Sequence, residues 1–266
     1  MFKKIIIKKS GKLLSMMRND ITSLQDRGHV IAYDLNQATV NSDGKPIIAE
    51  VTLEALIQKP FKVAFIKSAT DPESRKQGYA VMHQTILSAI ESSNYDLIIA
   101  PEYSYFPNTK PLQTEDNQEI RTEICAATNG KSSLVLPGTI VWKDQNDDMR
   151  NSLYAFSNGI ELIEYHKINP CNGEKLYAYS YDLNYSSGIS PAVFNWNQLK
   201  IGVEICLDYG ELNKFNFNNL DLRVLIASGS SEGFRKIDLS VLKQDGVALA
   251  IDGFFGYHYA VKKPLL

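Results

Sequence analysis

The chain has few cysteines, few histidines and no metal-clip spacing, and each shortage excludes a class of protein. The three cysteines lie at positions 125, 171 and 206, and no CxxC pair occurs. An odd number of widely spaced cysteines argues against a disulfide framework and favours a reducing compartment, so we expect a cytoplasmic protein. The four histidines are scattered at positions 29, 83, 166 and 258. We therefore expect no zinc site and no other bound metal.

The chain also lacks a large charge excess and a long apolar run. Its formal net charge is −2, so nothing indicates nucleic acid as a partner of the whole chain. No run approaches the roughly 18 apolar residues of a membrane span. The basic start is followed by only three apolar residues before Lys8 and Lys9, which is too short for a secretory signal. A solvated basic arm or attachment to an anionic surface are the remaining interpretations of this start.

What is present is an ordinary globular composition, with 44% hydrophobic and 22% charged residues. Residues 1–59 are less regular than the rest, and we expect them to form an N-terminal extension that packs on a main domain at 60–266. Short apolar runs predict strands over 61–67, 96–100, 134–142, 151–157, 160–165, 192–196, 199–205, 222–227 and 247–251. Apolar residues at helical spacing predict helices over 73–92 and 115–129, and another between the last two strands.

These elements predict an α/β fold with hairpins, arranged as two stacked sheets with helices outside. Residues 168–188, rich in Tyr and Asn, are predicted to form a long loop. A loop of that length in a compact chain is usually functional or a lid. Its tyrosines and Tyr103 either line a pocket or pack as half-buried loop residues.

Three residues stand just past the ends of predicted strands, where functional residues gather in α/β proteins. Glu102 follows an apolar strand and a proline, so partial burial would raise its pKa and make it a base, unless it is a capping residue. Lys167 ends a hairpin strand, where a fixed ammonium would stabilise an oxyanion, although such lysines are usually solvated.

Cys206 closes the predicted strand Leu199–Ile205 and is followed by Leu-Asp-Tyr-Gly, which indicates a change of direction. A sharp turn presents the sulfur and points the following backbone N–H groups at one spot, as in an oxyanion hole. A nearby lysine would favour the thiolate. The bland alternative is a buried cysteine that acts as a small hydrophobic residue.

The order of these segments resembles the nitrilase (carbon–nitrogen hydrolase) superfamily over residues 61–251. The matching blocks are Asp-Leu-Ile-Ile-Ala-Pro-Glu at 96–102, Pro-Gly-Thr at 137–139, the Asn-Ser hairpin at 151–167 and Ile-Gly-Val-Glu-Ile-Cys-Leu-Asp at 201–208. Each block is weak alone, and four in order form a strong signal.

The resemblance implies an α/β fold of the four-layer αββα sandwich type. It also implies hydrolysis of a non-peptide carbon–nitrogen bond without a cofactor. In this reading Glu102 is the general base, Lys167 and the backbone N–H of Leu207 stabilise the tetrahedral intermediate, and Cys206 forms a thioester acyl-enzyme. Family members usually pair through helices near the site, so a homodimer is expected.

Many family members carry a second glutamate between the lysine and the cysteine, ahead of a glycine. Here the stretch Asp182 to Gly188 matches best and places Asp182 at that position, while Glu174 has the poorer spacing. The residues after Cys206 also depart from the family's usual Phe-Pro-Glu and read Tyr-Gly-Glu. Only 60 residues follow Cys206, so we expect residues 1–59 to supply strands that family members have after the 247–251 strand.

The favoured substrate is a small or linear amide rather than a nitrile, because the residues after Cys206 do not read Trp-Glu. Tyr103 is a candidate substrate contact. One alternative is a catalytically inactive nitrilase-like binding or regulatory protein. Another is a papain-like Cys–His hydrolase with His166 or His258 as its base, although no histidine lies in a matching motif.

Overall fold

The computed structural model of the protein describes residues 29–34, 46–54, 56, 60–67, 79–106, 110–229, 238–254 and 256–264. The strands in these ranges are β1 His29–Asp34, β2 Ile47–Leu53, β3 Phe61–Lys67, β4 Leu97–Ile99, β5 Leu134–Leu136, β6 Thr139–Lys143, β7 Asp148–Ser157, β8 Ile160–His166, β9 Asn184–Tyr185, β10 Ala192–Trp196, β11 Leu199–Ile205, β12 Leu220–Ala227, β13 Leu242–Asp252 and β14 Tyr257–Lys262. The helices are α1 Ala80–Ser92, α2 Thr114–Ala127, α3 Asn172–Tyr179 and α4 Glu211–Lys214, with a 3-10 turn at Cys206–Asp208.

The strands form two sheets. The six-stranded sheet has the order β1-β14-β13-β12-β11-β10, and β11, β12 and β13 run parallel. The other sheet has the order β2-β3-β4-β5-β7-β6, with β8 and β9 also paired to β7. Its strands β3, β4 and β5 are parallel, so their carboxyl ends meet at one edge.

The main core lies between the sheets. Alternate residues of each strand point to the same face, and the inward ones form a single buried cluster. Members from the eight-stranded sheet include Phe61, Val63 and Phe65, and members from the six-stranded sheet include Val203 and Val224. Outward residues of β3, β4 and β5 form a second cluster with α1 and α2.

The α/β class and the layered sandwich are therefore confirmed. Helices α1 and α2 cover the outer face of the eight-stranded sheet. Helix α4 packs on the outer face of the six-stranded sheet, where the side chain of Leu212 lies over Gly202. A Cβ at Gly202 would lie 2.6 Å from a methyl carbon of Leu220 and 3.0 Å from one of Leu212, so a larger residue would displace these side chains.

Two predicted elements differ from the structure, and two predicted helices lie partly outside the described residues. The predicted strand at 134–142 is two strands, because Pro137 has no N–H and Gly138 takes a left-handed φ of 81°. The predicted loop at 168–188 contains helix α3 and the short strand β9. The first predicted helix is observed over Ala80–Ser92, and its earlier part lies outside the described residues, as do residues 230–237 of the last predicted helix.

The described strands from the first 59 residues enter both sheets. β1 pairs antiparallel with β14 at the edge of the six-stranded sheet, and β2 pairs antiparallel with β3. The division of the chain into 1–59 and 60–266 stays a prediction. None of the helices in the described ranges has the length and apolar character that a bilayer crossing requires.

Candidate active site

Glu102 lies in the turn that follows β4, at the carboxyl edge of the parallel strands, and it is fully buried. The turn is tightly packed against Gly138, because a Cβ on Gly138 would lie 2.2 Å from the carbonyl oxygen of Pro101. The next residue, Tyr103, has a left-handed φ of 63°, and its N–H donates to Thr139 Oγ1 at 2.9 Å. The backbone around Glu102 is therefore fixed from both sides.

Lys167 directly follows β8 and is also fully buried. Its N–H donates to the carbonyl oxygen of Asn151 at 2.9 Å, and its own carbonyl oxygen accepts from Gly188 N–H at 3.0 Å. A Cβ on Gly188 would lie 2.0 Å from the carbonyl oxygen of His166, so only glycine permits this approach.

The Lys167 ammonium bridges two buried carboxylates. Its Nζ lies 2.6 Å from Glu102 Oε1 and 2.8 Å from Glu174 Oε2. The amide of Asn151 donates to the same two residues, at 3.0 Å to Glu102 Oε1 and 2.7 Å to Glu174 Oε1. Two carboxylates close together are tolerated here because one cation and one amide lie between them.

Glu174, and not Asp182, is the second carboxylate of this cluster. Glu174 is the third residue of α3 and forms a capping box with Cys171, whose N–H donates to Glu174 Oε2 at 2.7 Å. Asp182 lies beyond the end of α3 in an exposed turn with a φ of 56°. The expectation based on spacing to Gly188 was wrong because the intervening chain folds into a helix that carries Asp182 away from Lys167.

Cys206 begins the 3-10 turn that follows β11, and its backbone is left-handed with a φ of 48°. A left-handed conformation at a residue with a side chain is strained and concentrates at functional positions. The side chain is 7% exposed. A hydrogen bond from the backbone of Ser228 lowers the pKa of the Cys206 thiol.

The thiol of Cys206 lies beside Glu102. A hydrogen bond from this thiol lowers the pKa of the Glu102 carboxyl. Glu102 Oε2 has no hydrogen bond of ordinary length within the described part of the chain.

Burial dominates the electrostatics of these groups. It raises the pKa of Glu102 to about 7, against the opposing effect of the Lys167 charge. Burial and the Glu102 charge hold the pKa of the Cys206 thiol well above its ordinary value. Burial opposes the charge of Lys167, but Glu102 and Glu174 outweigh it and raise the lysine pKa. At neutral pH the site therefore holds an ammonium, a neutral thiol and a carboxyl near its midpoint.

Asp208 connects the turn at Cys206 to the chain after Lys167. The sequence predicted no role for this residue. Its carboxylate accepts from the Tyr165 hydroxyl at 2.5 Å and from the backbone N–H groups of Ile168 at 3.0 Å and Asn169 at 2.7 Å. Asp208 is fully buried. It fixes the distance between the nucleophile candidate and the lysine candidate.

A buried ion pair supports the same turn from the outer face of the six-stranded sheet. Glu204 Oε2 accepts from Arg223 Nε at 2.9 Å and from Arg223 Nη2 at 2.6 Å. Glu204 Oε1 accepts from the N–H groups of Gly210 at 2.8 Å and Leu212 at 3.1 Å, which hold the start of α4. This pair was not predicted from the sequence, because Glu204 and Arg223 lie on neighbouring strands and are distant along the chain.

The other predicted residues lie as follows. Leu207 follows Cys206 in the 3-10 turn, with a side chain that is 52% exposed. Tyr103 is half-buried, and its ring centroid lies 5.7 Å from Lys167 Nζ. His166 Nδ1 lies 2.7 Å from Ser152 Oγ, and His258 stacks on Phe65.

The sequence matches the family model described as carbon–nitrogen hydrolase over residues 62–229. The match covers more than half of the chain, and the chain therefore belongs to the carbon–nitrogen hydrolase family. Solved structures of the nitrilase superfamily share its fold. No match was found among the curated proteins that were compared with the sequence.

Three solved structures illustrate the likeness. An amidase from Nesterenkonia sp. is 12% identical with a TM-score of 0.54, over 77% of this chain and 90% of that one. A carbon–nitrogen hydrolase from Helicobacter pylori is 13% identical with a TM-score of 0.54, over 71% and 72%. A glutamine-dependent NAD+ synthetase from Acinetobacter baumannii is 21% identical with a TM-score of 0.49, and the match covers 72% of this chain but only 38% of that one.

Proposed function

We propose that the protein hydrolyses a non-peptide amide through a covalent thioester on Cys206, with Glu102 as general base and Lys167 as the stabilising cation. The observation that carries the proposal is the buried contact of 2.6 Å between Lys167 Nζ and Glu102 Oε1, with the thiol of Cys206 beside the same carboxyl. Three reactive groups come from the ends of three strands in two different sheets. A purely structural ion pair would not need a strained cysteine next to it.

Acylation begins when the Glu102 carboxylate takes the thiol proton and the sulfur attacks the amide carbon. The carbonyl oxygen becomes an oxyanion, stabilised by the Lys167 ammonium and the backbone N–H of Leu207. When the intermediate collapses, the carbon–nitrogen bond breaks and Glu102 returns its proton to the leaving nitrogen. Ammonia or an amine departs, and the acyl group stays on Cys206 as a thioester.

Deacylation uses the same groups with water as the nucleophile. Glu102 takes a proton from water, and the hydroxide attacks the thioester carbon. Collapse of this second intermediate breaks the carbon–sulfur bond and releases a carboxylic acid. The proton held by Glu102 returns to the sulfur. A carboxyl with a pKa of about 7 suits both directions of proton transfer.

Glu174 is proposed to take the place of the second acid. Its short contacts with Lys167 and Asn151 hold the ammonium against Glu102. Tyr103 stays a candidate substrate contact because its ring faces Lys167. One Nesterenkonia amidase structure, with a glutamate and a cysteine replaced, holds acrylamide, which makes small amides reasonable first probes.

The test is a mass-spectrometric search for an acyl adduct after incubation with a library of small amides. We expect an adduct on Cys206 and none in the Cys206→Ala variant. Cys125 and Cys171 are internal controls, since both are free thiols. If iodoacetamide alkylates Cys206 no faster than these two cysteines and no amide gives an adduct, the inactive binding protein becomes the better account.

The assembly and location belong to the same proposal. We expect a homodimer in a reducing compartment, because family members pair near the site and the three cysteines are free. Sedimentation of the purified chain tests the first expectation, and a monomer at micromolar concentration would contradict it.

A further inference from the structure

Tyr185 stands beside the proposed catalytic groups, on the short strand β9. Tyr185 pairs with Met149 of β7, and the following N–H, from Ser186, donates to the Met149 carbonyl oxygen at 2.9 Å. Its ring packs on a small buried cluster of Val141, Met149 and Ala178. Met149 and Asn151 are two residues apart on β7 and point to the same face, so Tyr185 is a neighbour of the amide that binds Glu102 and Glu174.

The hydroxyl of Tyr185 is buried and has no hydrogen-bond partner in the described ranges of the chain. Asn151 Oδ1, an acceptor of the same site, shares this property there. More than nine in ten buried polar atoms in folded proteins have a partner, so two such atoms at one site call for an explanation. A bound polar molecule that completes their hydrogen bonds provides one.

The charge of the surroundings indicates what Tyr185 binds. Burial and the Glu174 carboxylate raise the pKa of Tyr185, so the phenol stays protonated and is available as a donor. The negative charges of Glu174, Glu102 and Asp208 raise the pKa of this phenol, and the single ammonium of Lys167 lowers it. An anionic substituent would be repelled, and an uncharged oxygen would not.

We propose that Tyr185 is a further substrate-binding residue, whose hydroxyl donates a hydrogen bond to an uncharged oxygen on the atom next to the substrate's reacting carboxamide carbon or one atom beyond it. This inference rests on the proposed function, because the carboxamide is the group that Cys206 attacks. It assigns the substrate class as a neutral amide with an ether, hydroxyl or carbonyl oxygen close to the scissile bond.

The test compares methoxyacetamide with butyramide, which have the same length and differ by an ether oxygen in place of a methylene. Tyr185→Phe keeps the ring and removes only the hydroxyl. We expect it to lower kcat/KM for methoxyacetamide roughly 10-fold and to change that for butyramide by less than about twofold. Equal losses for both amides, or no loss for either, would overturn the proposal.

A second measurement needs no turnover. Methoxyacetamide should protect Cys206 from iodoacetamide better than butyramide does, and Tyr185→Phe should remove the difference. Absence of any difference in the wild-type chain contradicts the proposal. If protection depends on Tyr185 but no amide gives an adduct, the binding inference stands and the proposed hydrolysis fails. If adducts form without dependence on Tyr185, the reverse holds.

Thermal unfolding separates a binding role from a structural one. Removal of an unpartnered buried hydroxyl should raise the Tm, by about 2 °C. The matched control is Tyr154→Phe, since Tyr154 is fully buried on β7 and its hydroxyl donates to Glu164 at 3.0 Å. That variant should lower the Tm and leave the kinetics unchanged. A lower Tm in Tyr185→Phe would show that its hydroxyl is bonded within the protein, and the proposal would be withdrawn.

Discussion

The part of the site that carries Glu102 and Lys167 differs from the part that carries Cys206 in how its groups are held. On the first, which we call the carboxylate wall, Glu102, Lys167, Glu174 and Asn151 hold one another by short side-chain hydrogen bonds. On the second, the thiol wall, Cys206 is placed by a left-handed backbone at the end of β11. The charged side chains of the carboxylate wall are therefore held by attraction between opposite charges, whereas the sulfur of Cys206 is held by the conformation of the main chain.

The thiol wall consequently depends on residues that do not face the proposed reaction. Glu204 and Arg223 support it from behind, and Asp208 links it to the carboxylate wall. A defect in the carboxylate wall should change the chemistry and spare the fold. A defect behind the thiol wall should do the opposite. The following changes are designed to separate these two outcomes.

The largest effect is expected for Glu102→Gln. The glutamine oxygen still accepts from Lys167, but the group no longer takes a proton. Loss of a general base costs about a hundred- to ten-thousandfold, and we expect about a thousandfold in the rate of Cys206 acylation. The Tm should change little. Glu123→Gln, which alters a carboxylate bonded to His83 on the helical face, is the control and should leave the rate unchanged.

Arg223→Met should damage the thiol wall through stability. It leaves the buried Glu204 carboxylate without its cation, which typically costs about 3–5 kcal/mol in the free energy of unfolding. Denaturant titration measures the loss. The double variant Glu204→Gln with Arg223→Met should recover more than half of it, because no buried charge remains. A loss below about 1 kcal/mol for the single variant would contradict a structural role for the pair.

The pH dependence of acylation tests whether burial controls the pKa of Glu102 in the carboxylate wall. Because burial raises the pKa of Glu102 to about 7, the carboxylate form is present above that pH and is lost as the pH falls through it. The rate of Cys206 acylation should therefore decline about tenfold per pH unit below about pH 7. If the rate instead falls with a midpoint near pH 4.5, the ordinary glutamate value, burial does not control the pKa of Glu102.

The smallest effect is expected for Asp182→Asn, which changes an exposed turn and should leave the rate within about twofold, as surface substitutions do. Glu174→Gln is its matched partner. It removes one charge from the ammonium's surroundings and should lower the rate about a hundredfold if Glu174 holds Lys167 in place. Equal effects in the two variants would reject the assignment of Glu174 as the second acid.

The positions of Glu102, Lys167 and Cys206 at strand ends were predictable, because each follows a recognisable apolar run. The hydrophobic periodicity does not predict that these three residues meet in one site. That expectation came from the family resemblance. It depends on how two sheets stack, and local sequence does not carry that information. The layered α/β architecture was predictable at the same level, from strands and helices that alternate.

Glu174 was misjudged for a local reason. Its helix has eight residues within a Tyr- and Asn-rich stretch, and its capping box begins with Cys171 where Ser or Thr would be the recognisable signal. Arg223 was hidden inside an apolar strand. Its partnership with Glu204 depends on the register between β11 and β12, which pairs Gly202 with Arg223 and Glu204 with Leu225.

The pairing of β1 with β14 has a consequence for biosynthesis. Ala32 lies opposite Ala260, so the neighbour of β1 is the last described strand to leave the ribosome. Pairing between strands so distant in sequence closes a long loop and makes folding slow. Until β14 emerges, β1 and the sheet formed by β10 to β13 each have an unpaired edge, the feature on which chaperones and aggregation act.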